Sequence, residues 1–414
     1  MKGDSADIAV VGAGAAGLMA AIAAARSGPS LKILLIDTRN KIGAKILISG
    51  GTRCNVTNVK VRPSDYEGGA AHFVRHVLEA FTPEETIGFF REIGVTLVLE
   101  PTGKYFPTTH SGKTVLEALV KETGRLGVEL RTGLKISRIR FEDGIFYLGE
   151  NETLAARKVI LATGGLSYPE TGSDGTGLAI AKSFGHLVTE TAPSLTPLTT
   201  DDEDWKTLSG IAFEARLSFF KNGKKEAESK GPFLFTHFGF SGPAALDLSR
   251  HVALARQRGE PFHVIANFLP EETVESFGKK LKGALRNHPR KQLKTVLTEE
   301  GSLPERFAEI FLKKTGSKNS GQVTHALLNW PLPVSGVVGY KKAEVTAGGV
   351  ALGQVRVSTM ESRLVPGLYF AGEILDADGR IGGFNFQWAW STGRIAGSAA
   401  ARFGRDSRVW YNSL

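Results

Sequence analysis

Six residues near the start of the chain, Gly12-Ala13-Gly14-Ala15-Ala16-Gly17, carry glycines in the order GxGxxG, and Asp37 stands 20 positions after the last of them. That spacing suits a ligand with a pyrophosphate. Gly12 permits a tight turn from strand to helix, Gly14 lets backbone approach phosphate oxygens, and Gly17 lets the helix pack closely on the strand. The helix that opens there offers free N–H groups, those of Ala15 and Ala16 among them, and the positive end of its dipole. Asp37, with Thr38 beside it, falls where an acid accepts hydrogen bonds from ribose hydroxyls. Groups able to move a proton or hold a substrate are few. Tyr168 can donate a proton or a hydrogen bond, His237 can do either acid or base work, and Arg53 and Asn55 can bind a carbonyl or carboxylate. The single cysteine, Cys54, reads as a buried inert thiol.

The elements needed to position the glycines are present. Ile8-Ala9-Val10-Val11 is a short β-branched run of the kind buried on both faces of a parallel sheet. An alanine-rich helical stretch, 18–26, follows and stops at Gly28-Pro29. A second apolar strand, 32–36, ends at Asp37. Strand, glycine turn, helix, strand and terminal acid in register predict a dinucleotide-binding βαβ unit, which the glycines alone would not.

The glycine motif does not choose FAD over NAD. The next residues do: Asp37-Thr38-Arg39-Asn40-Lys41-Ile42-Gly43-Ala44-Lys45 resembles the second fingerprint of two-dinucleotide-binding-domain flavoproteins, whose loop runs beneath the FAD pyrophosphate. For Lys45 the residues leave open a phosphate contact, a contact to the flavin ring and a solvated position. Ile46-Leu47-Ile48-Ser49-Gly50-Gly51-Thr52-Arg53-Cys54-Asn55 follows, and the backbone N–H groups of Ser49, Gly50 and Gly51 suit a flat polar ring. Further segments are Ala162-Thr163-Gly164-Gly165-Leu166-Ser167-Tyr168-Pro169, Phe235-Thr236-His237-Phe238-Gly239-Phe240-Ser241-Gly242-Pro243, Thr346-Ala347-Gly348-Gly349-Val350 and Gly382-Gly383-Phe384-Asn385-Phe386-Gln387-Trp388-Ala389. Together they resemble the BaiN/YhiN-type family of NAD(P)/FAD-dependent oxidoreductases, also called the aminoacetone oxidase family of FAD-binding enzymes, over nearly the whole chain.

The resemblance implies a Rossmann-like α/β fold and non-covalent FAD. It implies that the turn of Ala162, Thr163 and Gly164 passes the adenosine-pyrophosphate side, and that backbone near Ile136 meets the adenine edge. It also implies that Asp376, after Gly372 and Glu373, bonds ribityl or phosphate-linked groups. Gly383, Phe384 and Asn385 would open a helix, 387–402, whose N-terminus faces the flavin N1/O2 edge and stabilises negative charge there. The chain departs from the family pattern at Thr52, where a third glycine is usual, at Gly103-Lys104, where Gly-Arg is usual, and at Thr108-Thr109-His110-Ser111. These departures bear on the substrate pocket rather than the flavin site.

Because first strand and closing helix lie at opposite ends, the FAD-binding domain is expected to be discontinuous, residues 1–193 and 334–414. The insertion, 194–333, reads β-rich to about 268 and helical from about 269. Asn222-Gly223 marks a hairpin after the alternating run 213–220. Pro270-Glu271-Glu272 and Pro304-Glu305 each read as a helix start.

The 414 residues are 42% hydrophobic and 22% charged, as in a soluble globular protein. One cysteine excludes an internal disulfide, a CxxC redox pair and a thiolate metal cluster, so no metal site is expected, and a reducing cytoplasm is the natural setting. Residues 8–25 are apolar enough to imitate a secretion signal, but Asp4 and Asp7 precede them and the glycine spacing explains them better. No membrane span is expected.

The net charge is +9. Between 279 and 298 stand seven cations and no acid: Lys279, Lys280, Lys282, Arg286, Arg290, Lys291 and Lys294. They form either a solvated helical face or a contact to the phosphate backbone of RNA. Gly172-Ser173-Asp174-Gly175-Thr176-Gly177 has the wrong glycine order for a second dinucleotide unit, so NAD(P)H would dock transiently. The expected activity is hydride transfer between flavin N5 and a small molecule, most simply reduction of a double bond conjugated to a carbonyl. Reduction of uridine to dihydrouridine in ribosomal RNA and oxygen-dependent oxidation of an aminoacetone-type amine are the alternatives.

Overall fold

The computed structural model describes residues 4–402. They form two units: one joins the chain up to Thr191 with that from Glu344 onward, and the other is Ala192–Ala343. Residues 334–343, read from the sequence as part of the first unit, belong to the second, because strand Gly336–Val337 pairs with Leu198–Thr199 in the second unit's own sheet.

The first unit is built on a parallel sheet. Strand Asp4–Val11 lies between Ile33–Ile36 and Leu154–Leu161, parallel to both. Glu129–Arg131 extends the sheet beyond Ile33–Ile36, and Leu368–Phe370 extends it beyond Leu154–Leu161, again in parallel. The four-residue strand Ile33–Ile36 is buried throughout, as both-face coverage demands. An antiparallel hairpin, Ile139–Glu142 with Ile145–Leu148, pairs with the start of Leu154–Leu161. The chain order of the parallel strands reverses at Asp4–Val11, so the carboxyl ends there border a crevice of the type that binds dinucleotides.

Two helices from opposite ends of the chain cover one face together. The first, Ala15–Ser27, is an alanine-rich rod with ten buried residues. The closing helix, Phe384–Ala400, begins three residues before the sequence reading because Gly383 already stands at its N-cap. Small residues let the two approach: a methyl group at Gly397 would lie 2.1 Å from the Ala20 carbonyl oxygen, and one at Gly393 would lie 2.5 Å from that of Ala16.

Polar groups tie the closing helix to the chain around it. Gln387 is fully buried and fully paired. Its Oε1 accepts from Thr57 Oγ1 at 2.6 Å and Thr86 Oγ1 at 3.1 Å, and its Nε2 donates to Phe81 O at 2.8 Å. Trp390 Nε1 donates to Val56 O at 2.9 Å, and Trp388 Nε1 donates to Gly372 O at 3.2 Å. Lys158 Nζ donates to the carbonyls of Ala400 and Arg402, both at 2.9 Å, and so covers the negative end of this helix.

The second unit carries an antiparallel sheet whose longest hairpin, Ala212–Lys221 with Lys224–Thr236, turns at Asn222 and Gly223, both left-handed. Its β-rich half also holds a 15-residue helix, Pro243–Gln257, which the sequence reading missed. The helical half contains Val274–Asn287, Leu293–Gly301, Glu305–Thr315 and Ser320–Leu328. The first of these starts after Thr273, not at Pro270, since the Thr273 hydroxyl accepts from Ser276 N at 3.0 Å and caps it. Pro304 is the N-cap of the third and not its first helical residue.

Candidate active site

The carboxyl ends of strands Asp4–Val11 and Leu154–Leu161 lie side by side, Val11 beside Leu161. Gly12, at φ 106°, turns so closely against the neighbouring strand end that a side chain there would lie 2.4 Å from the Ala162 carbonyl oxygen. A methyl at Gly17 would lie 1.7 Å from the Gly12 carbonyl oxygen, whereas at Gly14 nothing stands within 4 Å. Close packing is thus needed at 12 and 17 and open space is left at 14, where phosphate is expected. The first helix has Gly14 at its N-cap and no side chain capping it, so the N–H groups of Ala15 and Ala16 remain for a ligand.

Asp37 closes this side. One carboxylate oxygen accepts from Ala13 N at 2.7 Å and the other from Arg39 N at 2.8 Å, with Thr38 exposed beside it. Leu134 N donates to Asp37 O at 3.0 Å, which brings the segment leading to buried Ile136 alongside the same strand end.

Residues 49–58 run to the start of the closing helix, where Asn58 Nδ2 donates to Gly382 O at 3.0 Å. After the short helix Ala44–Ile48, Gly50, Gly51 and Thr52 are all left-handed, at φ 55°, 67° and 71°. Thr52, a β-branched residue, thus occupies a conformation that disfavours it. Arg53 is held by Glu100 at 2.6 Å and lies over the Phe106 ring with its guanidinium carbon 4.1 Å from the centroid. Its charge is therefore already compensated. Cys54 is fully buried, and burial pushes its thiol up to about 12, which keeps it from reacting as a thiolate.

The closing helix opens with Gly383 and no side-chain cap. Asn385 is occupied locally: its amide oxygen and nitrogen bond Gly379 N and O, each at 2.8 Å. Tyr66 donates to Phe384 O at 2.7 Å. A methyl at Gly383 would meet Asn55 Oδ1 at 2.8 Å, and this oxygen is buried without a partner among the described residues. Thr163 Oγ1, next to the Gly12 turn, is likewise buried and unpaired. Asp376 lies against Gly68, where a methyl would meet its Oδ1 at 2.6 Å.

Lys45 is neither solvated nor aimed at empty space. Its Nζ donates to Glu373 Oε2 and to Ser167 Oγ, both at 2.7 Å. Ser167 Oγ donates on to Glu373 Oε1 at 2.6 Å. Thr346 Oγ1 donates to the same Oε1 at 2.9 Å, and accepts from Leu166 N at 2.7 Å and Ser167 N at 3.1 Å. Ser167 and Thr346 escape a reading of the sequence, because nothing in either segment alone shows that they share a carboxylate.

Tyr168 follows this knot directly. Its backbone is left-handed, φ 47° and ψ 66°, immediately before Pro169. Burial, then the carboxylates of Glu344 and Glu170, raise its phenol above the ordinary tyrosine value, so it carries its proton at neutral pH. His237 belongs to the second unit, exposed at the tip of the hairpin between Lys224–Thr236 and Gly239–Ser241, with its ring against Phe238.

The basic tract is less bare than its sequence suggests. Lys279 pairs with Glu275 at 2.7 Å, Lys291 with Glu299 at 2.7 Å and Lys294 with Glu305 at 2.8 Å, and Lys280 pairs with Glu272. Lys282, Arg286 and Arg290 are exposed with no acid partner among the described residues. No described helix is long and apolar enough to cross a membrane.

A parallel sheet with a glycine turn at its point of reversal, an acid ending the next strand and a helix closing from the far end of the chain define a Rossmann-type flavoenzyme. The family model described as HI0933-like protein Rossmann domain matches residues 6–399, and the chain belongs to this family of FAD-dependent oxidoreductases. It is 33% identical to the 3-dehydro-bile acid delta(4,6)-reductase of Clostridium scindens, over 95% of this chain and 98% of that protein. It is 35% identical to the ribosomal RNA dihydrouridine synthase of Escherichia coli, over 93% of this chain and 96% of that protein. Among solved structures, a quinol-fumarate reductase with menaquinol molecules shares the fold, with a TM-score of 0.51 and 17% identity over 97% of this chain and 71% of that one.

Proposed function

We propose that this protein uses FAD to reduce a carbon–carbon double bond conjugated to a carbonyl in a small molecule, with NAD(P)H docking transiently as electron donor. The observation that carries the reading is the crevice itself: open backbone at Gly14, and a first helix that begins there with no side chain capping its free N–H groups. The 33% identity to a bile acid reductase supports the substrate class.

The residues divide the work as follows. The turn 12–17 and the first helix would hold the pyrophosphate, and Asp37 the ribose. FAD, when bound, supplies hydride transfer at N5. The uncapped N-terminus of the closing helix would offer positive potential to negative charge on the cofactor, and Lys158 caps its negative end. Tyr168, protonated at neutral pH, delivers the proton that the substrate carbon needs once hydride has reached the carbon conjugate to the carbonyl. Arg53, once released from Glu100, is a second candidate, for holding the substrate carbonyl.

The test is anaerobic. NADH or NADPH should bleach the yellow protein, and a conjugated ring enone should restore the colour. Restoration by uridine in RNA but not by enones would support the second reading, dihydrouridine formation, which Lys282, Arg286, Arg290 and the 35% identical synthase favour. Bleaching by aminoacetone without nicotinamide would establish an amine oxidase instead.

A further inference from the structure

We propose that Lys45 and Glu373 form a charge-balancing pair that sets the reduction potential of the bound flavin. The inference rests on the reading that FAD occupies this crevice.

Three observations carry it. First, the pair sits at the crevice: Glu373 comes three residues after strand Leu368–Phe370, and Ser167 follows the turn that ends Leu154–Leu161. A methyl at Gly164 would lie 3.8 Å from Lys45 Nζ. Second, every proton in the knot has one assignment. Thr346 Oγ1 accepts two backbone N–H groups and so must donate to Glu373. Ser167 Oγ also donates to Glu373, and so accepts from Lys45. Glu373 is therefore an ionised carboxylate ringed by donors. Third, an ammonium has three donors, and Lys45 uses one on Ser167 and one on Glu373. Its third finds no acceptor among the described residues. The side chains are 24% and 17% exposed, so water neither screens the pair fully nor is wholly excluded.

A structural role alone accounts poorly for the pair, since apolar residues of similar volume stabilise as well as a half-buried ion pair. A fixed cation and anion in a crevice that holds a redox cofactor do something apolar residues cannot. Two-electron reduction leaves negative charge on the isoalloxazine, which the ammonium favours and the carboxylate opposes. With both present the effects nearly cancel; with one removed they do not. In a partly hydrated crevice, with an effective dielectric between that of a protein interior and that of water, one unit charge shifts such an equilibrium about tenfold.

The experiment is a titration of potential on FAD-loaded protein, by anaerobic equilibration with reference dyes. Glu373→Gln should raise the reduced-to-oxidised ratio about tenfold at fixed ambient potential, ~30 mV for a two-electron couple. Lys45→Met should lower it by a similar factor, and the double variant should return to within about threefold of wild type. Shifts of the same sign, or a potential indifferent to both substitutions in protein that retains FAD, would overturn the inference. Should one single variant fail to fold, the sign of the other decides. Wild-type protein that takes up no FAD would overturn the functional reading and this inference with it, whereas FAD-bound protein with unmoved potentials overturns this inference alone.

Discussion

The hydroxyl of Thr346 receives the backbone N–H of Leu166 at 2.7 Å, and with it fixes the turn that delivers Tyr168. The same hydroxyl receives Ser167 N and reaches Glu373, so one side chain from near residue 346 organises a loop 180 positions earlier in the chain. Thr346→Val keeps the shape and removes the hydroxyl. It strands two N–H groups in a buried site, and we expect a loss of about 3 kcal/mol in urea unfolding. Thr346→Ser, which keeps the hydroxyl, should lose less than about 1.5 kcal/mol. Equal losses in the two variants would mean that packing, not the hydrogen bonds, holds the turn.

Tyr168 holds a left-handed backbone that a bulky residue before proline adopts only when its surroundings impose it. Its role as proton donor predicts a split between half-reactions. Tyr168→Phe should leave flavin reduction by NAD(P)H unchanged and slow reoxidation by the acceptor about 100-fold or more in rapid mixing. The acid form is the working form and its pKa lies above the ordinary 10. The wild-type rate of reoxidation should therefore be level through neutral pH and fall only as pH rises through that raised value. The Phe variant should lack this alkaline fall.

The contrast between Gly12 and Lys45 shows what a single sequence can reveal. The roles of Gly12, Gly14, Gly17 and Asp37 are local consequences of a strand, a turn and a helix in succession, so spacing alone carries them. Lys45 meets Glu373 across 328 positions, and no local pattern encodes which of several acids it will face. The helix Pro243–Gln257 was legible in principle, from Pro243 at the first helical position after Gly242, but the strands on both sides drew the reading toward β. Pro270 misled for the opposite reason: proline suits a helix start, yet Thr273 has the side chain that caps one.

Thr52 offers the simplest stability test. Its φ of 71° suits glycine, and its hydroxyl bonds only the adjacent Gly51 carbonyl. Relief of the left-handed strain outweighs the extra freedom that glycine gives the unfolded chain. Thr52→Gly should stabilise by about 1 kcal/mol, seen as a higher thermal midpoint. A lower midpoint would show that the loop gains more from the side chain than its backbone loses.

His186 makes stability depend on pH. Ser362 Oγ accepts from Leu364 N at 3.0 Å and Val365 N at 2.8 Å, so its own proton goes to His186 Nε2 at 2.8 Å. The ring is neutral, 4% exposed, and burial holds its pKa below the ordinary 6.5. Between those two values the unfolded chain binds the proton and the folded chain does not. Stability from this group is thus complete above about pH 6.5 and declines as pH falls toward the depressed value, by up to about 1.4 kcal/mol per unit. His186→Gln should flatten the difference between urea unfolding at pH 7.5 and at pH 5. An unchanged slope would mean that other groups govern the acid limb.

The basic tract gives a numerical choice between two pictures of RNA contact. Each phosphate neutralised on a single strand contributes about −0.7 to the slope of log affinity against log salt. All seven cations acting together would give a slope near −5, but four of them already hold carboxylates at hydrogen-bonding distance. Lys282, Arg286 and Arg290 remain, and three contacts give a slope near −2. Arg286→Glu should then reduce binding to single-stranded RNA several-fold and flatten the slope by about 0.7. Lys291→Glu, at a cation already compensated by Glu299, should do less. A slope near −5 would mean that RNA pulls the lysines from their acids, and no measurable binding would leave the tract as a solvated helical face and remove the RNA reading.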